Sequence, residues 1–229
     1  DVEVSAGTLI LIRDLTELRD RDRQLVTKDA TIREIHHRVK NNLQTVAALL
    51  RLQSRRMSNS DAKDALKQAM GRVSAIAVVH EILSQNFEEQ VAFDEVADRI
   101  LHMVGDVAAS SGSVVARREG SFGEVPAETA TALSLATTEL CQNAIEHSLD
   151  SSSGNVIVRP HRTDDALVVD IVSDGKPLPE GFSLDNHRSS LGLSIVTTLM
   201  QDLGGTFTLE DNSDRVGTCA RLVIPLQRL

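Results

Sequence analysis

The sequence predicts two domains in series: a helical hairpin over residues 15–88 and an α/β sandwich over residues 89–229. Three patterns predict this organisation. Apolar residues first recur every seven positions, then alternate by four and three, and finally form short β-rich runs that alternate with helical runs. Residues 1–14 end in a strand-like run, and we expect them to be the end of a further domain upstream.

The first helix is predicted by an unbroken heptad spacing that continues to about Met57. A turn follows at residues 58–61, and we expect Ser60 or Asp61 to cap the second helix, which continues to about Gln85. The apolar positions of the heptad are Leu18, Leu25, Ile32, Val39 and Val46, with Ile35 and Leu49 in the second seam.

A lone hairpin with this seam would leave apolar side chains in water. Two hairpins that pair into a four-helix bundle bury the seam in both copies, so we expect a homodimer. Gly71 lies inside the second helix, where glycine costs up to about 1 kcal/mol relative to alanine. The sequence shows nothing that offsets this cost.

The remaining residues alternate between strand and helix patterns. Their order predicts a mixed sheet with helices on one face. Strands are expected near Val91 and over residues 113–119, 155–161, 166–172, 205–210 and 217–225, and helices over residues 94–109, 126–147 and 191–203.

Composition excludes several classes of function. The 229 residues carry a net charge of −9 and only 2% aromatic residues, which argues against a surface that binds nucleic acid directly. Cys141 and Cys219 lie in apolar segments and suit reduced thiols of a cytosolic protein. No apolar run reaches the roughly 18 residues of a membrane span. We therefore expect a cytoplasmic protein without a membrane segment.

The stretch EIHHRVKNNLQ, residues 34–44, carries two adjacent histidines. Neighbours on an α-helix point about 100° apart, so the two cannot share one environment. His36 shares its stripe with Leu43 and Leu50, whereas His37 lies in a polar column. We expect His36, like His80 in the second helix, to be a packing residue, and His37 to face water.

A solvent-facing neutral imidazole is a nucleophile. Arg33 and Lys40, one turn to either side of His37, would neutralise an incoming phosphoryl group, and Glu34 could orient the ring. On this stretch alone, an idle surface histidine is the simpler interpretation.

Three blocks carry a resemblance to sensor histidine kinases. HRVKNNLQ, from His37, resembles the phosphoacceptor box of the HisKA_2-type subclass, and RVSAIAVVHEIL, from Arg72, resembles the second helix of that subclass. TELCQNAIEHS, from Thr138, resembles the N box of the Bergerat (GHKL) ATP-binding fold of histidine kinases, gyrase, Hsp90 and MutL. RDLTEL, residues 13–18, resembles the end of a PAS domain, so the upstream domain would be a sensor.

This resemblance implies a kinase that transfers phosphoryl from ATP, with Mg²⁺, to His37 and then to an aspartate of a response regulator. In the actinobacterial relatives that regulator would carry an RNA-binding output domain. Two alternatives remain. One is a degenerate kinase that serves as a dimeric nucleotide-binding scaffold. The other is a GHKL ATPase or a serine kinase of the anti-sigma type. The long heptad hairpin argues against it, because those proteins do not need such a hairpin.

Glu139, Asn143 and His147 are spaced by four, which places them on one face of a helix. An amide oxygen among phosphates suits Mg²⁺, which takes few protein ligands. By the resemblance, Asn143 would be the metal ligand, Glu139 would orient a metal-bound water, and His147 would lie near the phosphates. A polar helix face in solvent is the alternative.

The loop SDGKPLPEGF departs from the family pattern D-x-G-x-G. Ser173 occupies the position of the adenine-binding aspartate, and Asp174 is one residue after that position. Gly175 matches the first glycine of the pattern, and Pro177 replaces the second. Either a register shift lets Asp174 reach the adenine amine, or Ser173 makes a weaker contact. By the resemblance, Thr218 would lie near the adenine.

The next glycine box is SLGL, with Ser190 in place of a glycine. Its helix can still offer its N-terminus to phosphate. The resemblance makes residues 181–190 a short lid. An acidic residue usually follows the phosphorylated histidine, but here it is Arg38, which leaves Glu34, Glu139 or water as the base. The box residues expected to bind nucleotide are Ser190, Leu191, Gly192 and Leu193.

Overall fold

The computed structural model describes most of the chain. The strand expected before residue 15, the domain boundary near residue 88 and the centre of the lid at residues 185–189 lie outside the described ranges. No helix within those ranges is long and apolar enough to cross a membrane. The ranges are 16–85, 90–109, 113–149, 153–184, 190–213 and 216–226.

Two long helices form the predicted hairpin: α1, Thr16–Arg56, and α2, Ser60–Gln85. The cap of α2 is Asn59, whose Oδ1 accepts hydrogen bonds from the backbone N–H groups of Asp61 at 2.8 Å and Ala62 at 3.4 Å. The prediction of Ser60 or Asp61 as the cap was therefore wrong by one residue. Asparagine one position earlier reaches the first free N–H groups of the helix.

The two sides of α1 differ in what they contact. His36, Leu43 and Leu50 are half-buried on the side that packs on α2, while Ile35 and Leu49 are exposed. The seam positions Ile32, Ile35, Val46 and Leu49 are therefore left uncovered by α2, while Val39 of the same seam is half-buried.

The α/β domain contains a five-stranded mixed sheet in the order β2-β4-β5-β7-β6. β2 is parallel to β4, and the other neighbours are antiparallel. β1 and β3 form a separate antiparallel pair, of which β3 was not predicted. Three helices pack on one face of the sheet, which confirms the predicted sandwich. The elements are β1 Gln90–Ala92, α3 Phe93–Ala109, β2 Ser113–Arg118, β3 Glu124–Pro126, α4 Ala127–Asn143, β4 Ser153–Arg162, β5 Ala166–Ser173, α5 Leu191–Asp202, β6 Thr206–Asp211 and β7 Thr218–Pro225.

The central helix α4 begins after Pro126, which caps it, and continues into a π-helical turn, Ala144–Ser148. Such turns are rare in proteins, and those that occur often lie at functional sites. The wider turn changes the helical phase beyond Asn143, so the spacing by four does not place His147 directly above Glu139. It also leaves Ser148 buried beside the end of the central strand β5.

The hairpin packs on the α/β domain through α2 and α4. Ala75 and Val79 of α2 are fully buried. A Cβ added to Gly71 would lie 2.6 Å from Nε2 of Gln142. That atom is the end of a flexible side chain, so a methyl group at position 71 would require the Gln142 side chain to move.

Candidate active site

A cavity of about 450 Å³ opens between the π-helical turn, the loop after β5, α5 and β7. Most of its wall is apolar, as is usual for a small-molecule site with a few polar groups. The resemblance placed nucleotide-binding residues in these same segments. The lining residues are Leu140, Asn143, Ala144, His147, Ser148, Ile171, Lys176, Pro177, Leu178, Pro179, Phe182, Ser190, Leu193, Leu209, Thr218 and Ala220.

One end of the cavity is closed by three hydroxyl groups. The Oγ atoms of Ser148 and Ser173 lie 2.8 Å apart, and Ser173 Oγ lies 2.9 Å from Thr218 Oγ1. Ser148 Oγ also donates to the Lys176 carbonyl oxygen at 3.1 Å. Ser173 is only 1% exposed. These three hydroxyl groups, which we call the hydroxyl end, carry no charge.

Asp174 lies on the opposite side of the sheet from the cavity. Its carboxylate accepts two 2.6 Å hydrogen bonds from Asn155, one from the backbone N–H and one from Nδ2. Side chains alternate along β5, so the inward position of Ser173 directs Asp174 outward. The structure does not support the register shift that would bring Asp174 to the cavity.

Gly175 is required where the loop crosses the end of the π-helical turn. A side chain there would collide with the Ser148 carbonyl, which accepts a 2.8 Å hydrogen bond from the Lys176 backbone N–H. Glycine permits this close approach. Gly175 therefore shapes the cavity without lining it.

Asn143 lines the other end of the cavity, and Glu139 and Gly192 lie next to it without lining the cavity; we call these three residues the charged end. A Cβ added to Gly192 would lie 2.6 Å from Glu139 Oε2 and 3.6 Å from Asn143 Nδ2. Asn143 Nδ2 is buried without a hydrogen-bond partner. Three residues that the sequence singled out from two different boxes thus come together.

An arginine of the hairpin completes the charged end. Arg72 of α2 donates from Nε to Glu139 Oε1 at 2.6 Å and from Nη2 to Oε2 at 2.9 Å. Glu139 is 3% exposed, so both charges are largely withdrawn from water. The hydrogen bond to Glu139 raises the pKa of the Arg72 guanidinium. Both carboxylate oxygens of Glu139 are occupied in this arrangement.

The remaining box residues differ in position. Ser190 and Leu193 line the cavity, as does the exposed His147. Leu191 is 61% exposed and does not line it. The exposed side chain of Leu191 makes it a poor candidate for nucleotide contact, and only its backbone at the start of α5 is suited to that role.

The two adjacent histidines lie in different environments. His37 is exposed, whereas His36 is half-buried with its Nδ1 2.9 Å from Nδ1 of His80. Burial lowers the pKa of His36, and burial together with the neighbouring His36 lowers the pKa of His80. The helical phase therefore predicted both orientations correctly.

The charged residues around His37 have partners of their own. Glu34 accepts a 2.7 Å hydrogen bond from Arg38 Nε, and Lys40 pairs with Glu81 of α2 at 3.1 Å. Glu34 is thus directed to Arg38, and its suggested role in orienting His37 has no contact to support it.

Sequence reasoning missed three residues of the site. Arg72 is the first residue of the second family block, and Ser148 is the last residue of the third, but neither was assigned a role. Lys176, which lines the cavity, lies in the divergent loop. The sequence pointed to these residues only through their positions in the family blocks or in the loop after β5.

Two family profiles match the chain. One described as histidine kinase covers residues 34–108, and one described as histidine kinase-, DNA gyrase B-, and HSP90-like ATPase covers residues 128–228. The fold and the second match define the α/β unit as an ATPase domain of this class, and the first match covers the part of the hairpin that carries His37.

Known proteins agree with both matches. The sensor histidine kinase PdtaS of Mycobacterium tuberculosis is 50% identical over 227 residues, which are 98% of this chain and 45% of that protein. PdtaS of Mycolicibacterium smegmatis is 48% identical over 227 residues, again 98% of this chain and 45% of that protein. The chain thus spans about half the length of these curated relatives.

A solved structure agrees over nearly the whole chain. The histidine kinase domain of the blue-light activated histidine kinase EL346 of Erythrobacter litoralis has 26% identity and a TM-score of 0.60. The match covers 90% of this chain and 94% of that one. The chain belongs to the sensor histidine kinase family.

Proposed function

We propose that the chain is the kinase core of a sensor protein, in which the γ-phosphoryl group of ATP is transferred to a ring nitrogen of His37. The observation that carries this proposal is an exposed histidine on a hairpin that packs, in the same chain, on an ATPase domain with an open cavity. His36 is held by His80, which leaves His37 as the accessible imidazole of the pair.

In the proposed reaction, an N–P bond forms as the bond between the γ-phosphorus and its bridging oxygen breaks, and ADP leaves. Catalysis of this kind consists mainly of positioning and charge neutralisation. Arg33 lies within one turn of His37 and supplies positive charge there, whereas Lys40, also within one turn, is paired with Glu81. The phosphoryl group would then pass to an aspartate of a response regulator that docks around His37, in the actinobacterial case one with an RNA-binding output domain.

Asn143 fits the expected role in holding Mg²⁺. Its Nδ2 is buried without a hydrogen-bond partner beside Gly192, where phosphates are expected, and its Oδ1 is the atom that would hold the metal ion. Mg²⁺ needs few protein ligands when phosphates and waters supply the rest, and it would neutralise developing negative charge. Glu139 lies at the same end with one hydrogen bond from Arg72 on each oxygen; a remaining lone pair can orient a water, and release from Arg72 would make the carboxylate a stronger proton acceptor.

The proposed active form is a homodimer. Ile32, Ile35, Val46 and Leu49 form a stripe on α1 that is 43–58% exposed in the single chain. A second hairpin would bury this stripe in a four-helix bundle. Leu49→Glu should shift the sedimentation mass towards the monomer, and an unchanged dimer mass would contradict the assignment of this face.

The alternative is a nucleotide-binding scaffold without transfer. It is favoured by the arrangement in which Arg72 occupies both oxygens of Glu139, and by Ser173, Pro177 and Ser190 in the altered boxes. A scaffold would bind nucleotide and leave His37 unmodified, so one experiment separates the two functions.

The experiment is incubation with γ-labelled ATP and Mg²⁺ of the unmodified chain and of His36→Ala and His37→Ala. We expect acid-labile label on the unmodified chain and on His36→Ala, and none on His37→Ala. Label that survives both changes overturns the proposal. Nucleotide binding with no label on any of the three proteins supports the scaffold.

A further inference from the structure

The hydroxyl end of the cavity offers a ligand no carboxylate from the part of the chain that the structure describes. Among the described lining residues there is no aspartate or glutamate. The carboxylate next in sequence, Asp174, is held by Asn155 on the other face. Asp211 accepts a hydrogen bond from the Leu178 backbone N–H at 2.7 Å. Whatever binds at this end meets hydroxyl groups that can either donate or accept.

The apolar walls next to these hydroxyl groups suit a planar base. Ala144, Ile171, Leu193, Leu209 and Ala220 line the same cavity, and the charged end lies at the start of α5, where a helix N-terminus favours phosphate. Under the proposed function, a bound nucleotide therefore directs its base to the hydroxyl end. The inference below rests on that placement.

The three hydroxyl groups form a chain with two possible proton orders. In the first order Thr218 donates to Ser173, Ser173 donates to Ser148, and Ser148 donates to the Lys176 carbonyl. A lone pair of Thr218 then faces the cavity. It can accept a hydrogen bond from the 6-amino group of adenine.

In the second order every hydroxyl group turns round. Ser148 donates to Ser173, Ser173 donates to Thr218, and the Thr218 hydrogen faces the cavity, where it can donate to a 6-oxo group. The cost is the 3.1 Å hydrogen bond from Ser148 to the Lys176 carbonyl. One neutral hydrogen bond corresponds to about a two- to tenfold change in affinity.

We propose that this hydroxyl chain makes the site accept 6-oxopurine nucleotides as well as ATP, with Ser173 and Thr218 as the residues that set base selectivity. A carboxylate at position 173 would only accept. The Thr218 hydrogen would then be committed to that carboxylate, and its lone pair would always face the cavity. Selectivity for the 6-amino group would follow.

The test is displacement of trinitrophenyl-ATP from the full chain by ATP and by inosine triphosphate, which differ only at the 6-position and N1 of the base. We expect inosine triphosphate to bind within about tenfold of ATP. Weaker binding than that overturns the inference. If neither nucleotide displaces the probe, the proposed ATP site itself is wrong, so the two failures are distinguishable.

Three variants locate the selectivity. In Ser173→Asp the preference for ATP over inosine triphosphate should rise at least about tenfold, because hydrogen bonds to a charged group are stronger. In Thr218→Val the preference for ATP over inosine triphosphate should disappear. This second variant tests the proposal even if Ser173→Asp does not fold. Asp174→Asn is the matched control and should leave the preference unchanged. An unaltered preference in folded Ser173→Asp and in Thr218→Val, or an altered one in Asp174→Asn, overturns the assignment.

Discussion

The two ends of the cavity are built differently. The hydroxyl end is neutral and is formed entirely within the ATPase domain, by the π-helical turn, β5 and β7. The charged end contains Glu139 and Asn143 of α4, and it is completed by Arg72 from the hairpin. Movement of the hairpin can therefore change the charged end while it leaves the hydroxyl end intact.

The position of Arg72 along the hairpin shows why such movement matters. His36 contacts His80, so the level of the proposed acceptor His37 lies about eight residues beyond Arg72 on α2. At 1.5 Å per residue this is about 12 Å along the helix axis. In the proposed homodimer, a two-fold axis parallel to the bundle would keep this offset in the partner copy. The proposed transfer to His37 would therefore need the ATPase domain to leave the position in which Arg72 holds Glu139.

The largest expected effect is at Asn143. Asn143→Ala should reduce labelling of His37 by about a hundredfold or more, because charge neutralisation by a metal ion is worth several kcal/mol. Binding of trinitrophenyl-ATP without Mg²⁺ should change little, because the hydroxyl end is untouched. Asn155→Ala, on the opposite face, is the control and should label normally. Equal losses in the two variants would contradict the distinction between the ends.

The second effect concerns the contact between the domains. Arg72→Ala leaves the buried Glu139 carboxylate unpaired, at a cost of about 3 kcal/mol. We expect looser docking of the ATPase domain, seen as a larger radius of gyration in small-angle scattering, with affinity for the ATP analogue nearly unchanged. Lys67→Ala removes an exposed ion pair with Asp64 on the same helix, and it should change neither the radius of gyration nor the affinity for the ATP analogue. An unchanged radius in Arg72→Ala would show that this pair does not hold the domains together.

A smaller effect is expected from two helical glycines. Gly105 of α3 has open space around it, so Gly105→Ala should stabilise the chain by about 0.5–1 kcal/mol. In Gly71→Ala the new Cβ would lie 2.6 Å from Gln142 Nε2, the end of a side chain that has to move aside, so the gain should be smaller. Denaturation midpoints of the two variants provide the comparison. An equal gain at both positions would mean that the approach of α2 to α4 is not tight.

The smallest effect is the pH dependence of the hairpin, away from both ends of the cavity. His36 and His80 have lowered pKa values when folded, so they bind fewer protons than in the unfolded chain. Their contribution to the free energy of unfolding is complete above the ordinary histidine pKa of 6.5. It is lost as the pH falls below 6.5 towards the lowered pKa values of the folded state.

The melting temperature should therefore fall by a few degrees from about pH 7.5 to about pH 5.5. The fall should be smaller in the double variant His36→Gln, His80→Gln. His102→Gln, at an exposed histidine of α3, is the control and should keep the full decrease. An identical pH dependence in the double variant would exclude the histidine pair as its cause.

How much the sequence could predict depended on the kind of structure involved. An α-helix converts spacing directly into direction, so the opposite environments of His36 and His37 could be predicted. The same rule placed Glu139 and Asn143 together on α4. It did not extend to His147 and Ser148, because the π-helical turn that changes the phase has no recognisable pattern in the sequence.

Contacts between distant segments could not be predicted. Arg72 and Glu139 are 67 residues apart and belong to different domains, and no periodicity relates them. The inward position of Ser173 and the outward position of Asp174 follow from the alternation along β5, but only once the register of the strand is known.

The most direct measurement is the position of the phosphoryl group after incubation of the full chain with ATP and Mg²⁺. The peptide that contains both histidines should be isolated at neutral pH and fragmented in a mass spectrometer. The account predicts a phosphoryl group on His37 with His36 unmodified. A phosphoryl group on His36 or on a serine, threonine or aspartate, or an unmodified peptide from a chain that binds ATP, would contradict it.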